Sequence, residues 1–248
     1  MDAEMVHDSS LEVEGARLPL SRENVPPISV IICTLNEEQC LPHVLPRIPS
    51  YVSEVILVDG HSTDRTVEVA KGLRADIKVF LQPGKGKGTA LRYGFQHAVG
   101  DIIVTLDADG TTDPEEMDNF VRPLLQGYDF VKGSRFRRSR AVGMPRHRVF
   151  GNWVLATTAN VLFGTCFTDI CSGYNAFWRS ILQRVDFESG AASDVESTLS
   201  LRVVKARLKI LEVAHQDNGR VAGESKMPSL REGWNNLTTI VRERVKRG

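Results

Sequence analysis

The chain has no surplus of charge: its 248 residues carry 31 Lys and Arg against 31 Asp and Glu. A general nucleic-acid binder shows a strongly basic domain, so that class is excluded for the chain as a whole, and any role of charge is local. Its four cysteines, Cys33, Cys40, Cys166 and Cys171, form no C-x-x-C pair and have no histidine at zinc spacing. They read as the reduced, mostly buried thiols of a cytosolic protein. The first residues, Met1-Asp2-Ala3-Glu4-Met5, are acidic where a secretory signal is basic and then apolar, so no export signal is expected. Apolar runs all fall short of the roughly 18 residues that a spanning helix needs. Two nucleotide signatures are also missing. Gly84-Lys85-Gly86-Lys87-Gly88-Thr89 lacks the order of a P-loop and follows the third strand rather than the first, and no G-x-G-x-x-G follows the first strand.

What remains is 42% apolar and 25% charged, the balance of a soluble globular protein long enough for one large α/β domain or two small ones. Residues 1–25 are polar, without apolar period, and are expected to form a mobile tail closed by Pro26-Pro27. Short apolar runs then recur at Ile28–Thr34, Val55–Val58, Ile77–Leu81, Ile102–Leu106 and Asp129–Gly133. Between them lie helix signals, among them capping residues Ser62-Thr63-Asp64 and a first-turn Pro114 followed by Glu115 and Glu116. Strand, turn and helix in repetition predict an α/β fold, a mostly parallel sheet covered by helices on both faces. Such sheets bind ligands beyond the carboxyl ends of their strands, where Thr34–Glu37, Asp59–Asp64 and Asp107–Asp109 fall. Helices are also expected at Val149–Gly164 and Asp194–Ala206, and a last strand at Leu208–Val213.

Asp107 and Asp109 stand one residue apart at the end of the fourth strand, so both carboxylates can face one side. Hard divalent ions are held by one or two such groups, with water and phosphate oxygens completing the shell. The bland alternative is that each acidic cluster caps its own helix. Lys85 or Lys87 in the glycine-rich turn suits a phosphorylated ligand, or a solvated turn. Arg135, Arg137, Arg138, Arg140, Arg146, His147 and Arg148 fall within 14 residues. A phosphate-bearing acceptor, RNA and an exposed charged loop all fit such a cluster, although no nucleic-acid module accompanies it. Val149–Gly164 is either a core helix or one lying at a membrane surface. In residues 229–248 an apolar stripe, Leu230, Trp234, Leu237, Val241 and Val245, marks an amphipathic helix that either docks on the body or attaches to a membrane.

The segments Thr34-Leu35-Asn36-Glu37, Val58-Asp59-Gly60-His61-Ser62-Thr63-Asp64, Gly86–Gly94 and Leu106-Asp107-Ala108-Asp109, in that order, resemble family 2 glycosyltransferases of the GT-A fold. Gly133-Ser134-Arg135, Asp169–Tyr174, Glu196 and Arg220–Lys226 are similar to the polyprenyl-phosphate (dolichyl-phosphate) sugar synthases, which places the transferase domain at residues 26–228. The resemblance implies an inverting transferase using a nucleotide-sugar donor of GDP-mannose or UDP-glucose type and a polyprenyl-phosphate acceptor. Thr34, Asn36, Glu37, Asp59, Lys87 and Asp107 would hold the nucleotide, and Asp107 and Asp109 would bind Mg²⁺ or Mn²⁺. Arg135, Arg146, Arg148, Ser172, Arg220 and Lys226 would meet the acceptor phosphate, and Glu196 would join Asp107, Asp109 and Arg135 in catalysis. Two positions depart from the family pattern: Gly60 replaces a frequent second aspartate, and Thr111 stands where the mannose synthases often carry glutamine. A hydroxyl acceptor would instead need a general base, for which Asp194 and Glu196 are candidates. A non-catalytic nucleotide- or phosphate-binding protein is the remaining alternative. The expected location is cytoplasmic, at the membrane surface, with no nucleic-acid partner.

Overall fold

The structure is a computed structural model and describes residues 19–137, 144–186, 195–223 and 229–246. Its centre is a seven-stranded sheet: β1 (Ile28–Thr34), β2 (Glu54–Asp59), β3 (Lys78–Leu81), β4 (Ile102–Asp107), β5 (Phe130–Ser134), β6 (Asn175–Trp178) and β7 (Ile210–Ala214). The order across it is β3-β2-β1-β4-β6-β5-β7. Neighbours pair in parallel except β6, which runs antiparallel to both β4 and β5. The mostly parallel sheet read from the sequence is therefore present, with one reversed strand inserted between the two halves.

Side chains alternate across each strand and divide the core in two. Ile28, Val30 and Ile32 of β1, with Val104 and Leu106 of β4, pack on the helices α1 (Leu41–Val44), α2 (Thr66–Leu73) and α4 (Met117–Leu125). Ile31, Ile56, Val58 and Ile103 face the other way. There they meet α3 (Lys87–His97), α5 (Arg146–Phe163), α6 (Val195–Lys205) and α7 (Ser229–Val245). Strands buried on both faces explain why β1, β2 and β4 read as nearly continuous apolar runs.

One expectation is changed. Residues 19–25, read as part of a tail, are tied to the body. Arg22 donates from Nε to Ser50 O (3.0 Å) and from Nη2 to Val52 O (3.0 Å), and Leu20 and Val25 pack on the core. Residues 1–18 lie outside the described residues. In α7 the apolar stripe is divided: Leu237 packs on the core beside the fully buried Ile240, while Trp234, Val241 and Val245 face solvent. Polar contacts fix this orientation. Arg202 Nη2 of α6 meets Glu243 Oε1 of α7 at 2.6 Å with both groups buried, and Ser197 Oγ donates to Asn236 Oδ1 (2.6 Å). Lys205 Nζ donates to Glu243 O (3.1 Å) and Lys246 O (3.0 Å), so a lysine of α6 satisfies the last carbonyls of α7, a role expected of its own arginines.

Candidate active site

The sheet register sets the site. Thr34 lies opposite Asp59 and Cys33 opposite Asp107, so the carboxyl ends of β2, β1 and β4 stand side by side. Asp59 is buried and accepts from Ser62 N (2.8 Å), Ser62 Oγ (2.5 Å) and Thr34 Oγ1 (3.3 Å). Asn36 adopts a left-handed conformation (φ 54°), which asparagine tolerates better than most residues. Its Oδ1 accepts from Thr63 N (2.7 Å), and its own N–H donates to Ser62 Oγ (2.8 Å). Glu37 N donates to Thr66 Oγ1 (2.8 Å). The loops after β1 and β2 are thereby joined into one ledge. The departure at Gly60 has a local cause: Gly60 N donates to Thr34 O (2.7 Å), and a Cβ there would stand 3.0 Å from that oxygen. The two strand ends approach closely because the side chain is missing.

Asp107, at the end of β4, is ion-paired at 2.5 Å with Lys87 Nζ, which also meets Glu196 Oε1 at 2.6 Å. Lys87 opens α3 and Glu196 lies in the first turn of α6, so three elements converge on one ammonium group. Burial disfavours the charged forms of both Lys87 and Asp107, but their mutual attraction outweighs it, with Glu196 adding to the hold on Lys87. The lysine is held well above its ordinary pKa and Asp107 below its own. Burial and then the charge of Asp107 push Asp109 the other way, upward. Asp109 Oδ2 is held by Arg220 Nη1 (3.2 Å), and the same guanidinium donates from Nη2 to both oxygens of Glu37 (2.6 Å each). Arg220 reaches this position because Val221 N donates to Asp109 O (3.0 Å) and Asn218 N to Thr111 O (3.1 Å). It thus joins the ledge after β1 to the end of β4. Thr111 donates from N (3.1 Å) and Oγ1 (2.7 Å) to Asp109 Oδ1, so its hydroxyl supports the aspartate.

Two neighbouring carboxylates, of which Asp107 disfavours the ionisation of Asp109 and each leans on a cationic side chain, fit a divalent ion held by hard oxygens. Among the described residues no group of three or more His, Cys, Asp or Glu is arranged to hold a metal. Asp107 and Asp109 would therefore be its protein ligands, with water and diphosphate oxygens completing the shell.

Across from Asp107 runs the loop Asp169–Gly173. Arg135, just past β5, donates from Nε to Asp169 Oδ2 (2.7 Å) and from Nη2 to Asp169 Oδ1 (3.0 Å), a fork on a fully buried carboxylate. Glu212 of β7 accepts from Thr168 N and from Asp169 N (3.0 Å), which fixes the entry to that loop. Lys132 of β5, fully buried and with its pKa lowered by burial, donates to Ser172 O (3.0 Å). His215 is held neutral by burial. Its Nδ1 faces Gln216 O (3.1 Å), so the proton belongs there and Nε2 accepts from Ser172 Oγ (2.9 Å). Ser172 is buried in this contact, which turns its hydroxyl away from any ligand and makes it a support of the loop. At the loop's far end a Cβ on Gly173 would meet Asp107 Oδ1 at 2.8 Å and Lys87 Nζ at 2.9 Å. Gly173→Ala is accordingly expected to displace the Asp107 carboxylate and lower the turnover number about 100-fold with little change in melting temperature, since the atoms that must move are side-chain ends. Steady-state kinetics beside a thermal melt would measure both.

Of the other residues singled out from the sequence, Arg146 and Arg148 are exposed on the first turn of α5. Lys226, Asp194, Arg138 and Arg140 lie outside the described residues. Asp169, Glu212, His215 and Lys132 were not assigned site roles from sequence. A lysine and a glutamate inside otherwise apolar strands are the signal that marks two of them.

A mostly parallel sheet whose carboxyl edge gathers these acidic and cationic groups is the GT-A arrangement of a sugar-nucleotide transferase. The chain belongs to glycosyl transferase family 2, whose model matches residues 29–186. It is 30% identical over 212 residues to glycosyltransferase AglJ of Haloferax volcanii, covering 83% of this chain and 68% of that protein. To the dolichyl-phosphate hexose transferase of the same organism it is 32% identical over 203 residues, covering 81% and 86%. Among solved structures, glucosyl-3-phosphoglycerate synthase from Mycobacterium tuberculosis, in complex with Mn²⁺, UDP and phosphoglyceric acid, shares the fold. Its TM-score is 0.68 at 23% identity, over 92% of this chain and 81% of that one.

Proposed function

We propose that this enzyme moves a sugar from a nucleoside-diphosphate donor to the phosphate of a polyprenyl lipid at the cytoplasmic membrane surface. The observation that carries this reading is the Asp169–Gly173 loop. Its last residue abuts Asp107 and Lys87, while its first forks Arg135. One short segment thus sets the distance between a donor's diphosphate and a cation for the acceptor's phosphate. The name of the dolichyl-phosphate hexose transferase relative supports a lipid-phosphate acceptor.

In this reading Thr34, Asn36, Glu37 and Asp59 hold the nucleoside, of GDP-mannose or UDP-glucose type. Asp107 and Asp109 would hold Mg²⁺ or Mn²⁺, which would supply charge neutralisation on the departing diphosphate. Lys87 stands beside the same phosphates as a fixed cation. An acceptor phosphate is already anionic at neutral pH, so attack needs orientation more than a base. Arg135, with Arg146 or Arg148 and with Lys226, would provide it. Arg220 bridges the ledge and the metal carboxylates and meets phosphate at that junction. A hydroxyl acceptor is the second reading, favoured by the placement of Glu196 within reach of Lys87, where a general base would be available.

The test is transfer of label from a panel of nucleotide sugars into the organic phase with polyprenyl phosphate and Mg²⁺ or Mn²⁺. Chelation by EDTA should reduce transfer to background. Label that stays in the aqueous phase on a soluble acceptor, or transfer indifferent to EDTA, would overturn the first reading.

A further inference from the structure

We infer that the outward faces of the neighbouring helices α5 and α7 rest on an anionic lipid bilayer, a proposal that takes its biological sense from the lipid-acceptor reading above. On α5, Arg146, Phe150, Trp153, Thr157 and Val161 follow one another at steps of four, three, four and four, and so share one side of the helix. All five are exposed, Phe150 by 64% and Val161 by 78%. The rings of Phe150 and Trp153 stack with centroids 5.8 Å apart, forming one aromatic plate. The opposite side, Asn152, Leu155, Ala156 and Ala159, is buried in the body. α7 packs on α5 and repeats the pattern. Trp234 (68%) and Val245 (75%) are exposed with Val241, while Ile240 and Glu243 point inward. Three residues of the apolar stripe, Trp234, Val241 and Val245, are thus left facing out, while Leu237 packs on the core.

Scattered exposed apolar residues are normal, but aligned aromatic and branched residues on two adjacent helices mark a binding surface. Charge identifies the occupant. α5 contains no acidic residue and opens with Arg146, His147 and Arg148. α7 ends in exposed Arg242, Arg244 and Lys246. A second copy of the chain would set these cations against each other, whereas anionic headgroups complement them. Tryptophan and phenylalanine flanked by arginine is the composition of a helix lying in the plane of the membrane interface. None of the described helices is long and apolar enough to cross a membrane, so contact of this kind lies along the surface. The face is also coupled to the site. Asn152 Nδ2 donates to Thr168 O (3.0 Å) and Asn160 Nδ2 to Phe167 O (2.9 Å), and the residue after Thr168 is the Asp169 that forks Arg135.

The experiment is co-sedimentation of the full chain with phosphatidylcholine vesicles containing phosphatidylglycerol, and with pure phosphatidylcholine vesicles, without donor or polyprenyl phosphate. Two of the chain's three tryptophans, Trp153 and Trp234, lie on the face, so binding should also shift the intrinsic fluorescence to the blue. Binding is expected to the anionic vesicles. It should weaken with added salt and fall about tenfold in both Trp153→Ser/Trp234→Ser and Arg242→Glu/Arg244→Glu. The tryptophan variant should keep its melting temperature and its transfer to a detergent-dispersed acceptor. No binding to anionic vesicles, binding unchanged in both variants, or a lipid-free dimer that the tryptophan variant dissociates would each overturn the proposal. Failure of transfer to polyprenyl phosphate with vesicle binding intact would count against the function alone.

Discussion

Asp107→Ala and Asp109→Ala are each expected to lower sugar transfer roughly 10³-fold at saturating donor, with circular dichroism unchanged. In the proposed reading the two aspartates hold a divalent ion at the carboxyl edge, and neither carries the fold. After Asp107→Ala, Lys87 keeps its contact with Glu196 at 2.6 Å. After Asp109→Ala, Arg220 keeps both oxygens of Glu37. In neither case is a buried cation left alone, so the loss should appear in chemistry and not in stability. Mn²⁺ binding followed by paramagnetic resonance should weaken in both variants. Turnover retained within tenfold in either would remove the metal assignment.

Asp169→Ala should have the opposite signature, a large loss of stability. Its carboxylate is fully buried and accepts four donors: Arg135 N (3.2 Å), Nε and Nη2, and Cys171 N at 3.0 Å. Burial alone would raise the Asp169 pKa, yet Arg135 outweighs burial and holds it below the ordinary carboxylate value. Removing one partner of a buried pair leaves the other charge uncompensated and costs about 3 kcal/mol or more. For a chain of this size that corresponds to a drop in melting temperature of about 6–12 °C. The sign of the pH effect follows from the lowered folded-state pKa. The contribution is present above the unfolded carboxylate pKa and is lost as pH falls through the folded one. Wild type and variant should therefore converge in stability under acid and diverge towards neutrality. Arg135→Ala should raise the acceptor KM far more than the donor KM, because Arg135 is bound to Asp169, at the opposite end of the loop from the Gly173 that abuts Asp107.

Much of this was legible before the structure. The strands on which the edge depends are apolar runs that stop at polar residues, and that pattern located Thr34, Asp59 and Asp107 on neighbouring strand ends. Local sequence does not encode the reversal of β6. Its four residues, Asn175–Trp178, carry no direction of their own, and their position follows from pairing with β4 and β5. Asp169 opens a family-like segment, but its partner, Arg135, stands 34 positions earlier and is brought to it only by the fold. The orientation of α7 has the same origin. Periodicity finds an apolar stripe but not which side faces the body, and here Arg202, 41 residues away, draws Glu243 inward and turns Trp234 and Val245 outward.

The most direct test of the central claim compares polyprenyl phosphate with the corresponding polyprenol, under the same nucleotide sugar and metal, with the product identified by mass spectrometry. A lipid-linked glycosyl phosphate formed from the phosphate, with no product from the alcohol, is the expected result. Equal glycosylation of the alcohol, or product only on a soluble hydroxyl acceptor, would contradict the account and shift the chemistry to a base such as Glu196.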